Sequence, residues 1–128
     1  MKLLLDTATL LWITSDAAKL SSTARMAYAD PQNDLHLTVV SLWEILVKVR
    51  LGKLPLPEPL DKLIEPLKST GVIRVLPLNE KAVYRLRSLP DQHRDPFDRM
   101  LICQAIEEGL TILTPDRDFS AYPVPLLW

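Results

Sequence analysis

The sequence has little cysteine, no long apolar run and no excess charge of either sign. Cys103 is the one cysteine among 128 residues, which excludes an intramolecular disulfide framework and a zinc site built from cysteines. The 15 Lys and Arg residues nearly balance 16 Asp and Glu residues, for a net charge of -1, so a nucleic-acid site would have to be a local patch. Asp6 follows directly on the apolar run Leu3–Leu5, which predicts neither a secretion signal nor a membrane span. We therefore expect a cytoplasmic protein.

The residues that are present predict one α/β domain spanning residues 1–128. A hydrophobic content of 48% and a charged content of 24% are ordinary for a globular domain with a moderate core. Short apolar runs alternate with helical patterns along the chain. The predicted strands are Met1–Leu5, Leu35–Val40, Val72–Leu76, Thr111–Thr114 and Val124–Leu127. Strands that alternate with helices favour an α/β sandwich around a mainly parallel sheet.

Capping and helix-breaking residues predict where several helices begin and end. Asp95 is placed as an N-cap, with Pro96 at the first helical position. Ser41 is predicted to cap the helix that follows the second strand. Pro66 is predicted to kink or split the helix Leu60–Ser69, because proline lacks the N–H that an interior helical residue donates.

Four acidic residues are placed where they can meet. Asp6 ends the first predicted strand, and Asp116 follows the fourth. Glu44 and Asp98 are expected in the first turns of two helices. In a parallel α/β sheet, functional groups gather beyond the carboxyl ends of the strands. All four acids can therefore point toward one edge of the sheet.

Each of these acids also has an ordinary structural explanation. Asp6 could cap the following helix, Glu44 could form a solvated i, i+4 ion pair with Lys48, and Asp116 and Asp118 could be turn residues. Four carboxylates at one edge nevertheless repel one another, and such clusters persist through raised pKa values or bound divalent cations. Oxygen ligands alone favour Mg²⁺ or Mn²⁺, which indicates a metal-dependent phosphodiesterase or phosphatase.

Four short segments occur in an order that is typical of one family. They are Leu-Leu-Asp-Thr at 4–7, Ser-Leu-Trp-Glu-Ile at 41–45, Asp-Pro-Phe-Asp-Arg-Met-Leu at 95–101 and Leu-Thr-Pro-Asp-Arg-Asp-Phe at 113–119. The chain thereby resembles the PIN-domain ribonucleases, and in particular toxins of the VapC type from type II toxin–antitoxin pairs. No single segment is specific, but the four together are, and the resemblance covers nearly the whole chain. It implies a PIN-like three-layer α/β/α sandwich with a mainly parallel central sheet of about five short strands.

The resemblance implies a catalytic metal site made from the four acids. Asp6, Glu44, Asp98 and Asp116 are similar to the quartet that binds one or two Mg²⁺ or Mn²⁺ ions in that family, with Asp6 and Asp98 as the most direct ligands. The resemblance also implies auxiliary roles in the site for Thr7, Thr114, Asp118 and Arg99. The implied reaction is metal-assisted in-line hydrolysis of an RNA phosphodiester.

Basic residues near the four segments are candidate contacts to the RNA backbone. They are Lys48, Arg50, Lys53, Arg94 and Arg117, and each could equally belong to a solvated basic surface. Arg99 could pair with a site carboxylate, contact a phosphate or form a structural salt bridge. One position departs from the family pattern, because Ala8 stands where this subgroup is expected to have a histidine. That change leaves the oxygen ligands of the metal site intact.

The resemblance also implies two protein partners. One is a small cognate antitoxin with a segment that lies over the active site, and the other is a second copy of the chain. Trp12, Trp43 and Leu126–Trp128 could anchor a homodimer, or they could belong to the core. A haloacid-dehalogenase-like phosphatase is disfavoured because it would need an Asp at the position of Ala8. The alternative that remains is a non-catalytic PIN-like module that binds RNA or a protein.

Overall fold

Strands and helices alternate along the chain in a computed structural model that describes residues 1–92 and 95–128. The five strands of this part are β1 (Lys2–Leu5), β2 (Asp34–Thr38), β3 (Ile73–Leu76), β4 (Thr111–Leu113) and β5 (Leu126–Leu127). Its six α-helices are α1 (Thr7–Ser15), α2 (Ser22–Ala29), α3 (Val39–Arg50), α4 (Leu60–Ser69), α5 (Glu80–Arg85) and α6 (Pro96–Glu108). Short 3₁₀ helices cover Ala17–Lys19 and Arg117–Ala121. Each of the described helices is too short or too polar to cross a membrane.

The strands form one parallel sheet in the order β3-β2-β1-β4-β5, which confirms the expected sheet. Strand β1 lies at its centre, because Leu3, Leu4 and Leu5 form a continuous apolar run that is buried on both faces. The chain passes outward from β1 through β2 and β3, and then crosses to β4 on the other side of β1. This reversal makes a crevice at the carboxyl ends of β1 and β4, where proteins with open α/β sheets bind their ligands.

Helices cover both faces of the sheet and produce three layers. Alternate residues of a strand point to opposite faces. Leu3 and Leu5 accordingly join an apolar cluster that includes residues of α1, α2, α3 and α4. Leu4 joins a second cluster, which includes residues of α5 and α6. The expected PIN-like α/β/α sandwich is therefore confirmed.

Helix α3 begins earlier than the sequence predicts. The apolar run suggested a strand through Val40 and a cap at Ser41, but β2 ends at Thr38 and α3 starts at Val39. Thr38 is the N-cap, since its Oγ1 accepts a hydrogen bond from the Val40 N–H at 3.1 Å. The prediction that Ser41 caps this helix is wrong. Ser41 is instead a buried helical residue, which leaves its hydroxyl able to face another part of the chain.

Helix α4 is not split at Pro66. It runs unbroken over Leu60–Ser69, and the Thr70 N–H donates to the Pro66 carbonyl at 3.2 Å, so helical hydrogen bonding continues beyond the proline. Proline removes the N–H that would have bonded the carbonyl of Lys62. Lys62 and Pro66 both lie on the exposed side of the helix, where water can hydrate that carbonyl.

Candidate metal centre

A cleft of about 450 Å³ opens beyond the carboxyl ends of β1 and β4. Its described lining brings together side chains from five separate parts of the chain: the start of α1, the middle of α3, the segment after α3, the start of α6 and the turn after β4. The charged members of the lining are Asp6, Glu44, Asp95, Asp98, Asp116, Lys48 and Lys53. All four acids of the predicted quartet therefore border one cavity.

A larger groove of about 680 Å³ lies between α3 and α4. Its lining is mainly apolar, and its three acids, Glu58, Asp61 and Glu65, are all exposed to solvent. Exposed carboxylates are solvated and need no cation to be stable. The smaller, acid-rich cleft is therefore the better candidate for chemistry.

Asp6 is fixed by the strand register. Leu5 of β1 is level with Leu113 of β4, which places Asp6 beside Thr114. Asp6 Oδ2 accepts a hydrogen bond from Thr114 Oγ1 at 2.5 Å, and Oδ1 accepts from the Thr9 N–H at 2.7 Å as the N-cap of α1. Burial raises the pKa of Asp6 above its ordinary value, although these hydrogen bonds oppose the shift. The carboxylate thus caps a helix and lines the cleft at the same time.

Glu44 lies in the second turn of α3, one turn later than expected. Its side chain is buried, with only 5% of it exposed. Thr7 Oγ1 donates to Glu44 Oε1 at 2.6 Å. The other oxygen, Oε2, forms an ion pair with Lys48 Nζ. The i, i+4 pair predicted from the sequence therefore exists, but it is not a solvated surface bridge, because its acidic member is buried.

Asp98 carries the strongest sign that the acids repel one another. Its pKa is raised from 3.8 to about 7, first by burial and then by the charges of Asp95, Glu44, Asp116 and Asp6. A carboxylate favours its neutral form when other carboxylates lie close to it. The metal-free cleft is therefore a site of concentrated negative potential.

Thr114 links two of the acids through a single hydroxyl group. Its Oγ1 donates to Asp6 and accepts a hydrogen bond from the Asp116 N–H at 3.0 Å. Asp116 Oδ1 in turn accepts from the Asp118 N–H at 2.9 Å and caps the 3₁₀ helix Arg117–Ala121. The turn after β4 is thereby tied to the end of β1.

The auxiliary residues divide into two groups. Thr7 and Thr114 contact the acids directly, as described above. Asp118 is exposed and lies outside the described lining of the cleft. Arg99 also lies outside it, and its Nη1 donates to the Pro90 carbonyl at 2.8 Å and lies 3.7 Å from Asp91 Oδ1. These contacts correspond to the structural role considered for Arg99.

The predicted basic residues are likewise only partly gathered at the cleft. Lys48 and Lys53 line it, whereas Arg50 and Arg117 are exposed outside its described lining. Arg94 lies outside the described residues, as does His93. The local cationic surface at the cleft therefore consists, among the described residues, of two lysines.

Two residues at the site escaped the sequence analysis in this role. Asp95 was assigned only as a cap, and it does cap α6 by accepting hydrogen bonds from the Phe97 and Asp98 N–H groups at 2.8 and 3.2 Å. It also lines the cleft, which its position one turn before Asp98 could have indicated. Ser41 Oγ lies 3.1 Å from Thr7 Oγ1, a contact that depends on the early start of α3.

The donor set of the cleft fits a hard divalent cation. Carboxylate and hydroxyl oxygens are the ligands that Mg²⁺ and Mn²⁺ prefer, and a cation would offset the burial and the acid repulsion that together raise the pKa of Asp98. Among the described residues, no three acidic, histidine or cysteine side chains already surround one point as in a formed metal centre. Asp6 and Glu44 are instead engaged by Thr114, Thr7 and Lys48.

The fold is similar to chains of solved toxin–antitoxin proteins. VapBC2 from Rickettsia felis, bound to a DNA fragment from its promoter, matches with a TM-score of 0.71 at 14% identity, over 98% of this chain and 97% of that chain. DNA-bound VapBC from Salmonella typhimurium matches with a TM-score of 0.67 at 16% identity, over 98% and 96%. VapBC-5 from Mycobacterium tuberculosis matches with a TM-score of 0.57 at 21% identity, over 94% and 89%. At such identities the likeness concerns the fold.

Comparison by sequence identifies the family. No curated protein matches the chain. The PIN domain, by contrast, matches residues 3–125, a range that contains every charged residue of the cleft lining. The structural matches to VapBC proteins show the same fold. The chain belongs to the PIN-domain family.

Proposed function

We propose that the protein is a metal-dependent endoribonuclease that acts in the cytoplasm as the toxin of a toxin–antitoxin pair. One observation carries the proposal: Asp6, Glu44, Asp98 and Asp116 come from four separate segments and border one cleft. A fold can retain this much mutual repulsion when a cation offsets it. Membership of the PIN family supports a nuclease, since nuclease activity is typical of that family.

The chain's own residues would hold and orient the metal ligands. Thr114 fixes Asp6 at one oxygen and Thr7 fixes Glu44 at one oxygen, so each carboxylate keeps a defined orientation in the cleft. Asp98 and Asp116 complete the proposed ligand set for one or two Mg²⁺ or Mn²⁺ ions. When bound, such ions supply Lewis-acid activation of water and stabilisation of charge on the phosphate. A carboxylate of raised pKa such as Asp98 must lose its proton before it can serve as a ligand.

RNA is the proposed substrate because the cleft combines acids with cations on its wall. Lys48 and Lys53 line the cleft, and we propose that they contact backbone phosphates of the RNA. A duplex would have to open before a phosphodiester reaches a cavity of about 450 Å³. We therefore propose a single-stranded or splayed segment of RNA as the substrate.

A small antitoxin and a second copy of the chain are the proposed protein partners. The solved structures with similar folds include VapBC toxin–antitoxin proteins, which supports the antitoxin. For the homodimer, Trp43 is the available anchor, because its side chain is 61% exposed. Trp12 packs against Trp128 with ring centroids 5.8 Å apart, and both side chains are partly buried against an apolar core cluster.

A non-catalytic binding module is the second candidate. The ion pair between Lys48 and Glu44 favours it, since a lysine can neutralise one buried acid without any metal. Three further acids of the quartet border the same cleft, and one metal site could bind them together with Glu44. The nuclease therefore accounts for more of the charge at the site.

RNA cleavage distinguishes the two candidates. Purified wild type, Asp98→Asn and Asp34→Asn would be incubated with total RNA in Mg²⁺, Mn²⁺ or EDTA. Asp34 is an exposed acid at the start of β2, at the opposite end of the sheet, and is a matched control. We expect cleavage by wild type and Asp34→Asn with metal, and none by Asp98→Asn or with EDTA. Equal cleavage by all three proteins would refute the assigned site, and binding of RNA without cleavage would support the module.

A further inference from the structure

Lys48 is a counter-ion of one acid in the cleft, Glu44. Its Nζ pairs with Glu44 Oε2 on the same face of α3, with the lysine side chain 41% exposed and the glutamate side chain 5% exposed. Asp95 and Asp98 line the same cleft, so the ammonium group lies among several acids.

The two oxygens of Glu44 are occupied by different kinds of partner. Thr7 donates to Oε1 from within the buried part of the site, where Thr7 Oγ1 also approaches Ser41 Oγ. Lys48 holds Oε2 from the solvent side of the cleft. A hydroxyl partner is neutral and is compatible with metal coordination, whereas an ammonium group repels a divalent cation. Only the lysine contact therefore opposes a metal ion at Glu44.

We infer that Lys48 is a positioning residue that holds Glu44 in the metal-free protein, and that a divalent cation must compete with this ion pair to bind. The inference rests on the proposed metal site. It accounts for a lysine that is paired with a buried acid in a cleft bordered by several other acids. The Lys48 ammonium group offsets part of the repulsion between the acids until a divalent metal ion binds and offsets it instead.

This role predicts that loss of Lys48 changes the metal affinity in the opposite direction from loss of a residue that only supports Glu44. If Lys48 only kept Glu44 in place, its loss would loosen a ligand and weaken metal binding. If Lys48 competes with metal, its loss should tighten binding by about 10-fold, as expected for removal of one partly solvated charge from the ligand set. The two roles can therefore be separated by the direction of one affinity change.

Electron paramagnetic resonance titration of free Mn²⁺ measures that affinity without any RNA. The full chain would be compared as wild type, Lys48→Met, Lys48→Arg and Lys53→Met at pH 8. Methionine keeps much of the length of the lysine stem and removes the charge. Lys53 is the matched control, because it lines the same cleft and no ion pair to Glu44 is seen for it in the described structure.

We expect tighter Mn²⁺ binding in Lys48→Met, and affinities close to wild type in Lys48→Arg and Lys53→Met. Unchanged or weaker binding in Lys48→Met would overturn the inference, as would equal tightening in Lys53→Met, which would show a general effect of charge. Two other results would contradict the proposed function itself. One is that wild type binds no Mn²⁺, and the other is that Asp98→Asn binds Mn²⁺ as tightly as wild type.

Discussion

Thr114 Oγ1 donates a hydrogen bond to Asp6 Oδ2 at 2.5 Å and accepts one from the Asp116 N–H at 3.0 Å. One buried hydroxyl thereby joins the ends of two neighbouring strands and two of the four acids of the quartet. The contact follows from the parallel register that sets Leu5 level with Leu113. The geometry of the cleft therefore depends on the sheet as well as on the acids.

Replacement of Thr114 by valine should weaken both folding and metal binding. Valine has a similar shape but cannot donate to Asp6 or accept from the Asp116 N–H, and loss of such buried partners costs about 1–3 kcal/mol. Without the donor, the pKa of Asp6 should rise further, so protons compete better with metal. Urea denaturation and Mn²⁺ titration measure the two effects. Thr114→Ser should restore both, and a valine variant with wild-type Mn²⁺ affinity would contradict this role.

Metal-free protein should become less stable as the pH rises toward neutrality. The pKa of Asp98 is about 7 in the folded protein and 3.8 ordinarily, so the folded state binds the extra proton between these values. The stabilisation of the folded state by protonated Asp98 is therefore complete below pH 3.8 and is lost as the pH rises through 7. Asp98→Asn removes the ionisation and should gain about 1–2 kcal/mol over wild type at pH 8, after allowance for solvent screening.

Urea denaturation in EDTA at pH 5 and pH 8 tests this effect. Wild type should lose more stability between the two values than Asp98→Asn does. Some loss should remain in the variant, because the pKa of Asp6 is also raised. Asp34→Asn is the control and should follow wild type. Identical pH dependence of wild type and Asp98→Asn would contradict the electrostatic account of the cleft.

Divalent cations should raise the melting temperature, and more so at pH 8 than at pH 6. At pH 6 the raised pKa of Asp98 keeps that ligand largely protonated, so metal has to displace a proton. A ligand at 100 times its dissociation constant stabilises the folded state by about 2.7 kcal/mol. Thermal melts with Mg²⁺ or Mn²⁺, followed by EDTA, measure the effect. A shift that is equal at both pH values, or that persists in Asp98→Asn, would place the ion elsewhere.

The end of α6 offers a change that should affect stability alone. Gly109 has φ of +67° and ψ of +40°, in the left-handed region, and caps the helix at the end remote from Asp98. An added Cβ would meet no atom within 4 Å, so the cost of Gly109→Ala is conformational and should be about 1 kcal/mol. Gly109→Asn should lose less, since asparagine tolerates this conformation better. The denaturation midpoint should be highest for wild type, lower for Gly109→Asn and lowest for Gly109→Ala, while the Mn²⁺ affinity stays at the wild-type value. A loss of Mn²⁺ affinity would contradict the claim that this end of α6 affects stability alone.

Local chemistry made much of the fold and the site predictable. The Asp95-Pro96 start of α6 follows from capping and the fixed φ of proline, and the central position of β1 follows from its uninterrupted apolar run. The acids of the quartet could be expected at one edge because residues after parallel strands meet there. Asp6, Asp95 and Asp116 cap helices and also border the cleft, so the two explanations were not alternatives for these three acids.

Other features depend on tertiary structure and could not be predicted. Two β-branched valines favoured a strand up to Val40, but burial of Val40 on α3 outweighs that local preference and moves the cap to Thr38. The contact between Asp6 and Thr114 joins residues 108 positions apart, and only the strand register brings them together. The spacing of Glu44 and Lys48 predicted their pairing, but only the packing of α3 shows that the acid is buried.

We propose that the acids of the cleft hold a divalent metal ion. Anomalous diffraction from a crystal soaked in Mn²⁺ would locate that ion. We expect a peak inside the cleft, at about 2.2 Å from carboxylate oxygens of Asp6 and Asp98, with Glu44 Oε2 released from Lys48. A Mn²⁺ peak elsewhere, or a cleft without density while Lys48 remains on Glu44, would contradict it.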